Sequence, residues 1–117
     1  RESAAIYVAN ILIENGAKIC VYDPRVTEQQ ILLDLDKLNS RSSEENRTAL
    51  SYFSSHIDAC KESSAIAIIT EWDEFKDYNW EQIYNMVLKP AKVFDGRNIL
   101  NKKLIKDIGF DLYVLGN

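Results

Sequence analysis

Arg97 is the residue whose type and placement point most directly to chemistry. It follows Asp95-Gly96 within Lys89–Leu100, KPAKVFDGRNIL, where a short apolar run (Lys92-Val93-Phe94) gives way to a turn. A guanidinium at such a point is a fork for an anion, because its planar donors pair two at a time with carboxylate or phosphate oxygens. In an open α/β sheet, ligands bind just outside the carboxyl ends of the strands. The plainer reading is an arginine that caps a helix end or pairs with a surface carboxylate. Position alone slightly favours the plainer reading, so the surroundings must decide.

Few other groups compete. Thr70–Phe75, TEWDEF, comes directly off an apolar run and brings acids and aromatics to a strand end. Those residues serve a site, or they open a helix whose dipole favours Asp73 and Glu74 while Trp72 and Phe75 pack inward. The structural role suits Trp72, Asp73 and Phe75 better. His56, the single histidine, reads as a surface helix residue, with no metal or general-base role. Cys20 and Cys60 lie in apolar surroundings far apart in sequence, and read as unbridged, buried thiols of a reducing compartment, the cytosol. The glycines, Gly16, Gly96, Gly109 and Gly116, form no G-x-G-x-x-G and no Walker loop. A nucleotide held here is held by side chains and loops, unless there is no ligand at all.

The elements that would position Arg97 follow from periodicity. Residues 1–15 predict a helix with Ala5, Val8, Ala9, Leu12 and Ile13 on its buried stripe, closed at Gly16. Lys18–Tyr22 and Ala65–Thr70 read as strands buried on both faces, the first stopped by Asp23-Pro24. Thr27 with Gln30 has the capping-box spacing and starts a helix to about Leu35. Residues 36–47, DKLNSRSSEENR, read as a solvated, mobile loop. Leu50–Phe53 is a short strand, and Ser55 with Asp58 opens a helix to about Lys61. Asn79 with Gln82 caps a helix over Trp80–Leu88, which leaves at Pro90. Asn101 opens a helix carrying Leu104, Ile105 and Ile108 and closed by Gly109, and alternating Phe110, Leu112 and Val114 predict an edge strand.

Strands alternating with helices imply an α/β fold with a mostly parallel sheet and right-handed crossovers. We therefore expect a Rossmann-like three-layer sandwich without the GxGxxG fingerprint. A parallel sheet sends Asp23, Ser54, Thr70-Glu71 and Asp95-Gly96-Arg97 out of one edge.

Bulk properties exclude some functions. At 117 residues, 46% apolar and 27% charged, the chain fits one soluble domain. A net charge of −4 with no basic run argues against nonspecific nucleic-acid binding. No apolar run approaches the ~20 residues that span a bilayer, and no signal-peptide pattern opens the chain. Arg1 already stands at or near a helix start, so the chain reads as a fragment of something longer.

Taken together, Arg1-Glu2-Ser3 (a TRES-type opening), Tyr22-Asp23-Pro24, TEWDEF at Thr70–Phe75 and KPAKVFDGRNIL at Lys89–Leu100 resemble the C-terminal, UDP-binding domain of the UDP-glucose 6-dehydrogenases, above all those of animals. Four motifs in order, with Ile108-Gly109-Phe110 trailing, cover essentially the whole chain and are weakest over residues 36–47. The resemblance implies an NAD-dependent oxidation of UDP-glucose to UDP-glucuronate in the full-length enzyme. It runs through a covalent thiohemiacetal and thioester on a catalytic cysteine, with NAD bound mainly by an N-terminal domain. A central helix would join the two domains and make a dimer contact, and animal enzymes assemble into hexamers. It maps Arg97 to the substrate-contacting arginine of F-D-G-R and Arg1 to the cofactor-proximal arginine of T-R-E-S. It assigns no catalytic residue and no metal ligand here, and neither Cys20 nor Cys60 matches the catalytic-cysteine motif.

By that resemblance residues 1–117 form a single UDP-binding domain, inactive alone and a poor nucleotide binder, since a wet arginine–phosphate contact contributes only about 1 kcal/mol. The alternative is a noncatalytic subunit-assembly domain of the same kind of enzyme. A receiver-like signalling domain fits poorly, because Asp23 stands alone at its strand end and the late basic residue is Arg97 rather than lysine.

Overall fold

A computed structural model describes residues 4–38 and 41–114. Its order is α1 (Ala4–Glu14), β1 (Ile19–Val21), α2 (Glu28–Leu38), α3 (Ser43–Ala49), β2 (Leu50–Tyr52), α4 (His56–Cys60), β3 (Ile66–Ile68), a 3-10 helix (Asp73–Asp77), α5 (Trp80–Met86), β4 (Lys92–Asp95), α6 (Lys102–Ile108) and β5 (Asp111–Val114). The fold is α/β and Rossmann-like, and every strand pairing is parallel. The strands form two small sheets, β1-β2 and β3-β4-β5. They belong to two compact units divided between Ala59 and Cys60.

In the first unit, Ile6, Ile13, Ile31, Leu32, Leu35 and Leu50 form the core. The buried stripe of α1 keeps Ile13 and Ala9 of the expected one but turns to take in Ile6, leaving Leu12 41% exposed. Nearly every residue of that helix is apolar, so several stripes satisfy the helical period and only packing chooses among them. Thr27 accepts the Gln30 backbone N–H at 3.2 Å, but the Gln30 amide turns to Asp34 at 2.9 Å instead of closing the capping box. The helix runs to Leu38, past the expected end.

Within the expected loop over 36–47, residues 36–38 belong to α2 and residues 43–47 to α3, a correction of that expectation. Ser42 and Glu45 make a complete capping box that starts α3. Asn46 is fully buried; its amide donates to Asp36 at 2.9 Å and its oxygen accepts from Arg41 Nε at 3.0 Å. Arg41 reaches on to Asn10 of α1 at 2.6 Å. So polar a helix as α3 is held because its polar groups and their partners satisfy one another.

The Asp36 carboxyl is held below its ordinary value, first by the Ser43 hydroxyl, then by the Asn46 amide, with Arg47 helping and burial opposing. Its folded-state pKa lies below the unfolded one. The stabilisation is therefore complete above about pH 4 and disappears as the pH falls through the folded-state value. Amide protection factors in α3, exchange rates taken relative to the intrinsic rate at each pH, should fall on acidification through that window, and Asp36→Asn should flatten the response.

The second unit buries Ile68, Phe75, Trp80, Ile83, Val87, Val93, Leu100, Ile105 and Phe110. Phe110 meets Trp80 and Tyr84 edge-on at 6.0 and 5.2 Å, and Trp80 Nε1 donates to the Phe75 carbonyl at 3.1 Å. Asn79 and Asn101 cap α5 and α6 as their spacing predicts. Gly109, at φ 131°, ends α6, and a Cβ there would lie 2.9 Å from the Tyr84 ring. Of the apolar residues of α6, Ile105 is buried and Leu104 is 47% exposed.

Neither β1 nor β3 is buried on both faces as expected. Alternation sends Ile19 and Val21 to the core and Cys20 to solvent, so Cys20 is not the buried thiol expected. In the other sheet the register aligns Ala67, Phe94 and Tyr113 on one open face. Phe94 and Tyr113 stack there at 4.9 Å. No helix among the described residues is long and apolar enough to cross a membrane.

Candidate functional site

The site is built on the end of β4, in the middle of the three-stranded sheet. Alternation along Lys92–Asp95 turns Val93 and Asp95 inward, both with no exposed surface. A carboxylate so placed needs partners, and the loop beyond supplies them. Asp95 accepts the backbone N–H of Arg97 at 3.2 Å through Oδ1, and those of Ile99 and Leu100, both at 2.9 Å, through Oδ2. One side chain thereby folds the loop that carries Arg97.

Gly96 fastens that loop to β3. Its N–H donates to the Ile68 carbonyl at 2.9 Å, and a Cβ at Gly96 would stand 3.0 Å from the same oxygen. The close approach of the two chains therefore favours a residue without a side chain. Asn98 takes the left-handed conformation, φ 58°, that asparagine tolerates better than most residues. Lys89, earlier in the motif, is committed to the end of α5, where its ammonium donates to the Tyr84 and Val87 carbonyls at 2.6 and 2.9 Å.

The Arg97 side chain is 43% exposed, and Nη2 donates to Glu71 Oε1 at 2.7 Å. Thr70-Glu71 follows β3, so the two neighbouring strand ends meet at the guanidinium. The plainer reading of Arg97, a pair with a surface carboxylate, is thus what the ligand-free chain contains. It does not exhaust the group. Among the described residues no further partner engages the Arg97 side chain, and its remaining donors can take an anion.

Among the described residues, the other candidates make none of the hydrogen bonds of Arg97. Arg1 lies outside the described residues. Asp23 and Ser54 belong to the first unit, and Thr70–Glu71 and Asp95–Arg97 to the second. The Asp23 carboxylate is spent on the N–H groups of Arg25 and Val26, at 2.8 and 3.2 Å. Trp72 precedes the 3-10 helix over Asp73–Asp77, Phe75 is buried, and Asp73 pairs with Lys76 at 3.6 Å, the structural role expected of them. His56 opens α4 with its ring 6.1 Å from that of Tyr22. Cys20 and Cys60 are not bridged. Sequence reasoning sent Glu71 and Asp95 to the same strand edge as Arg97 but gave neither carboxylate its role there. An Asp at a strand end ahead of Gly-x-Asn is the turn signal for the loop-folding role of Asp95; the pairing of Glu71 with Arg97 takes side-chain geometry to see.

Comparison with known proteins decides what this cluster belongs to. Residues 1–102 match the UDP-glucose/GDP-mannose dehydrogenase family, UDP binding domain. The chain belongs to that family. It is 41% identical to a UDP-glucose 6-dehydrogenase of Caenorhabditis elegans and 40% identical to one of Drosophila melanogaster, in each case over 99% of its length. It is 38% identical to UDP-glucose 6-dehydrogenase 2 of Arabidopsis thaliana. The chain spans about a quarter of those relatives, 24%, 25% and 26% respectively. Within the UDP-glucose/GDP-mannose dehydrogenase family, then, this is the UDP-binding domain, and the Asp95–Arg97 cluster lies inside the matched region.

Proposed function

We propose that the chain is the UDP-binding domain of an NAD-dependent dehydrogenase that oxidises UDP-glucose to UDP-glucuronate, and that Arg97 binds the diphosphate. The observation that carries this reading is the Asp95-folded loop, which presents a partly solvated guanidinium at a parallel-strand end. Diphosphate matches that guanidinium in charge and in the spacing of its oxygens. Residues 1–117 act as one domain of a longer enzyme and are inactive alone. The substrate's sugar, the nucleophile and most of the nucleotide-binding surface belong to the remainder.

The described residues do not fit NAD. The β1–α2 turn, where a dinucleotide-binding domain places its glycine-rich phosphate turn, is closed here by the Asp23 carboxylate on the amides of Arg25 and Val26. Those amides already serve an anion of the chain's own. NAD belongs mainly to another domain of the full-length enzyme, with Arg1 as this chain's contribution near it. Unbridged Cys20 and Cys60 suit a cytosolic protein.

The assembly reading draws on a different observation. The stacked Phe94–Tyr113 pair leaves aromatic surface open, at 37% and 45% exposure, which suits packing within a homo-oligomer, a dimer or hexamer. Arg97→Ala in the full-length protein separates the two functions. Calorimetry should show UDP affinity falling about tenfold or more, as for a lost charge-assisted contact, with oligomeric state unchanged. Dissociation of the oligomer at unchanged UDP affinity would instead make this an assembly domain.

A further inference from the structure

We propose that Glu71 is a positioning residue for Arg97, holding the guanidinium in the orientation that receives the diphosphate; this rests on the reading of Arg97 as a diphosphate contact. The register pairs Ile68 with Asp95, so β3 and β4 end side by side, and the Gly96–Ile68 hydrogen bond ties their exits together at the base. Glu71 and Arg97 rise from those exits and meet at 2.7 Å.

The contact has a useful asymmetry. Nη2 carries two protons, and each belongs to a different fork of the guanidinium, one shared with Nη1 and one with Nε. A single carboxylate oxygen on Nη2 takes one proton and leaves the other fork whole. The side chain is therefore restrained without losing the edge that grips a phosphate bidentately. An arginine at 43% exposure would otherwise surrender rotamer freedom when the ligand arrives, and Glu71 removes part of that cost beforehand. Asp95 sets the loop and Glu71 sets the side chain: the two carboxylates act at successive levels on one cation.

The test measures UDP binding to the full-length protein for Glu71→Ala, Glu71→Gln, Arg97→Ala and the Glu71→Ala/Arg97→Ala double variant. Glu71→Ala should raise the Kd about fivefold, the upper range for an exposed ion pair. Glu71→Gln should stay within about twofold of the parent, because the amide oxygen accepts the same hydrogen bond. The double variant should bind no more weakly than Arg97→Ala. In turnover, Glu71→Ala should raise KM for UDP-glucose while kcat holds.

Tighter binding by both Glu71 variants would make Glu71 a competitor for the guanidinium and overturn the proposal. So would a Glu71→Ala penalty that persists without Arg97, or a Glu71→Gln loss equal to that of Glu71→Ala. Undiminished binding by Arg97→Ala alone would remove the functional reading itself, a failure visible independently of Glu71.

Discussion

Asp95→Ala should cost the chain about 3 kcal/mol and release the Arg97 loop. The carboxylate has no exposed surface and accepts three backbone N–H groups. Removing it orphans those donors at once, and each buried orphan costs about 1–3 kcal/mol unless the loop opens to water. Opening limits the penalty but displaces Arg97, so stability and UDP affinity should fall together. Urea denaturation gives the first quantity, and amide exchange at Arg97, Ile99 and Leu100 shows where the loss falls. Asp95→Asn retains one oxygen and puts an NH2 in place of the other, so it should lose only part of both. A variant with normal amide protection in this loop would contradict the role assigned to Asp95.

Leu35→Ala should be of comparable size in the first unit. Leu35 has no exposed surface and sits among Ile6, Ile13, Ile31, Leu32 and Leu50. Truncation removes buried methyl groups and leaves a cavity, which in close-packed cores costs about 2–5 kcal/mol. Amide exchange along α2 should accelerate about thirtyfold or more. Leu33, 44% exposed on the same helix, is the control; its replacement by alanine should change little.

The contrast between Leu35 and Leu33 shows what the sequence made legible. The order of strands and helices, and the caps at Ser55, Asn79 and Asn101, follow from local signals that act within a turn or two of chain. Facing does not. In α1 almost every side chain is apolar, so periodicity could not distinguish the Ile6–Ile13 stripe from one through Leu12. Cys20 and Ala67 lie in continuous apolar runs that suggest two covered faces, yet each faces solvent on its short sheet.

The helix α3 was missed for another reason. Composition marked residues 36–47 as solvated, but pairing, rather than burial of apolar surface, holds α3: Asn46 with Asp36 and Arg41, and Ser42 with Glu45. The Ser42-x-x-Glu45 spacing was the available signal. The site divides in the same way. Arg97 was legible because an arginine after Asp-Gly at a strand end is local information. Glu71 was legible only as a residue of the same strand edge; its pairing with Arg97 was not, because the partner lies 26 residues away and only the packed strands bring the two side chains together.

The most direct test is a crystal structure of the full-length protein with UDP-glucose bound. The Arg97 guanidinium should lie within hydrogen-bond distance of the diphosphate oxygens while the Asp95-folded loop stays as described. A bound substrate whose phosphates are held elsewhere, with Arg97 still on Glu71 alone, would contradict it.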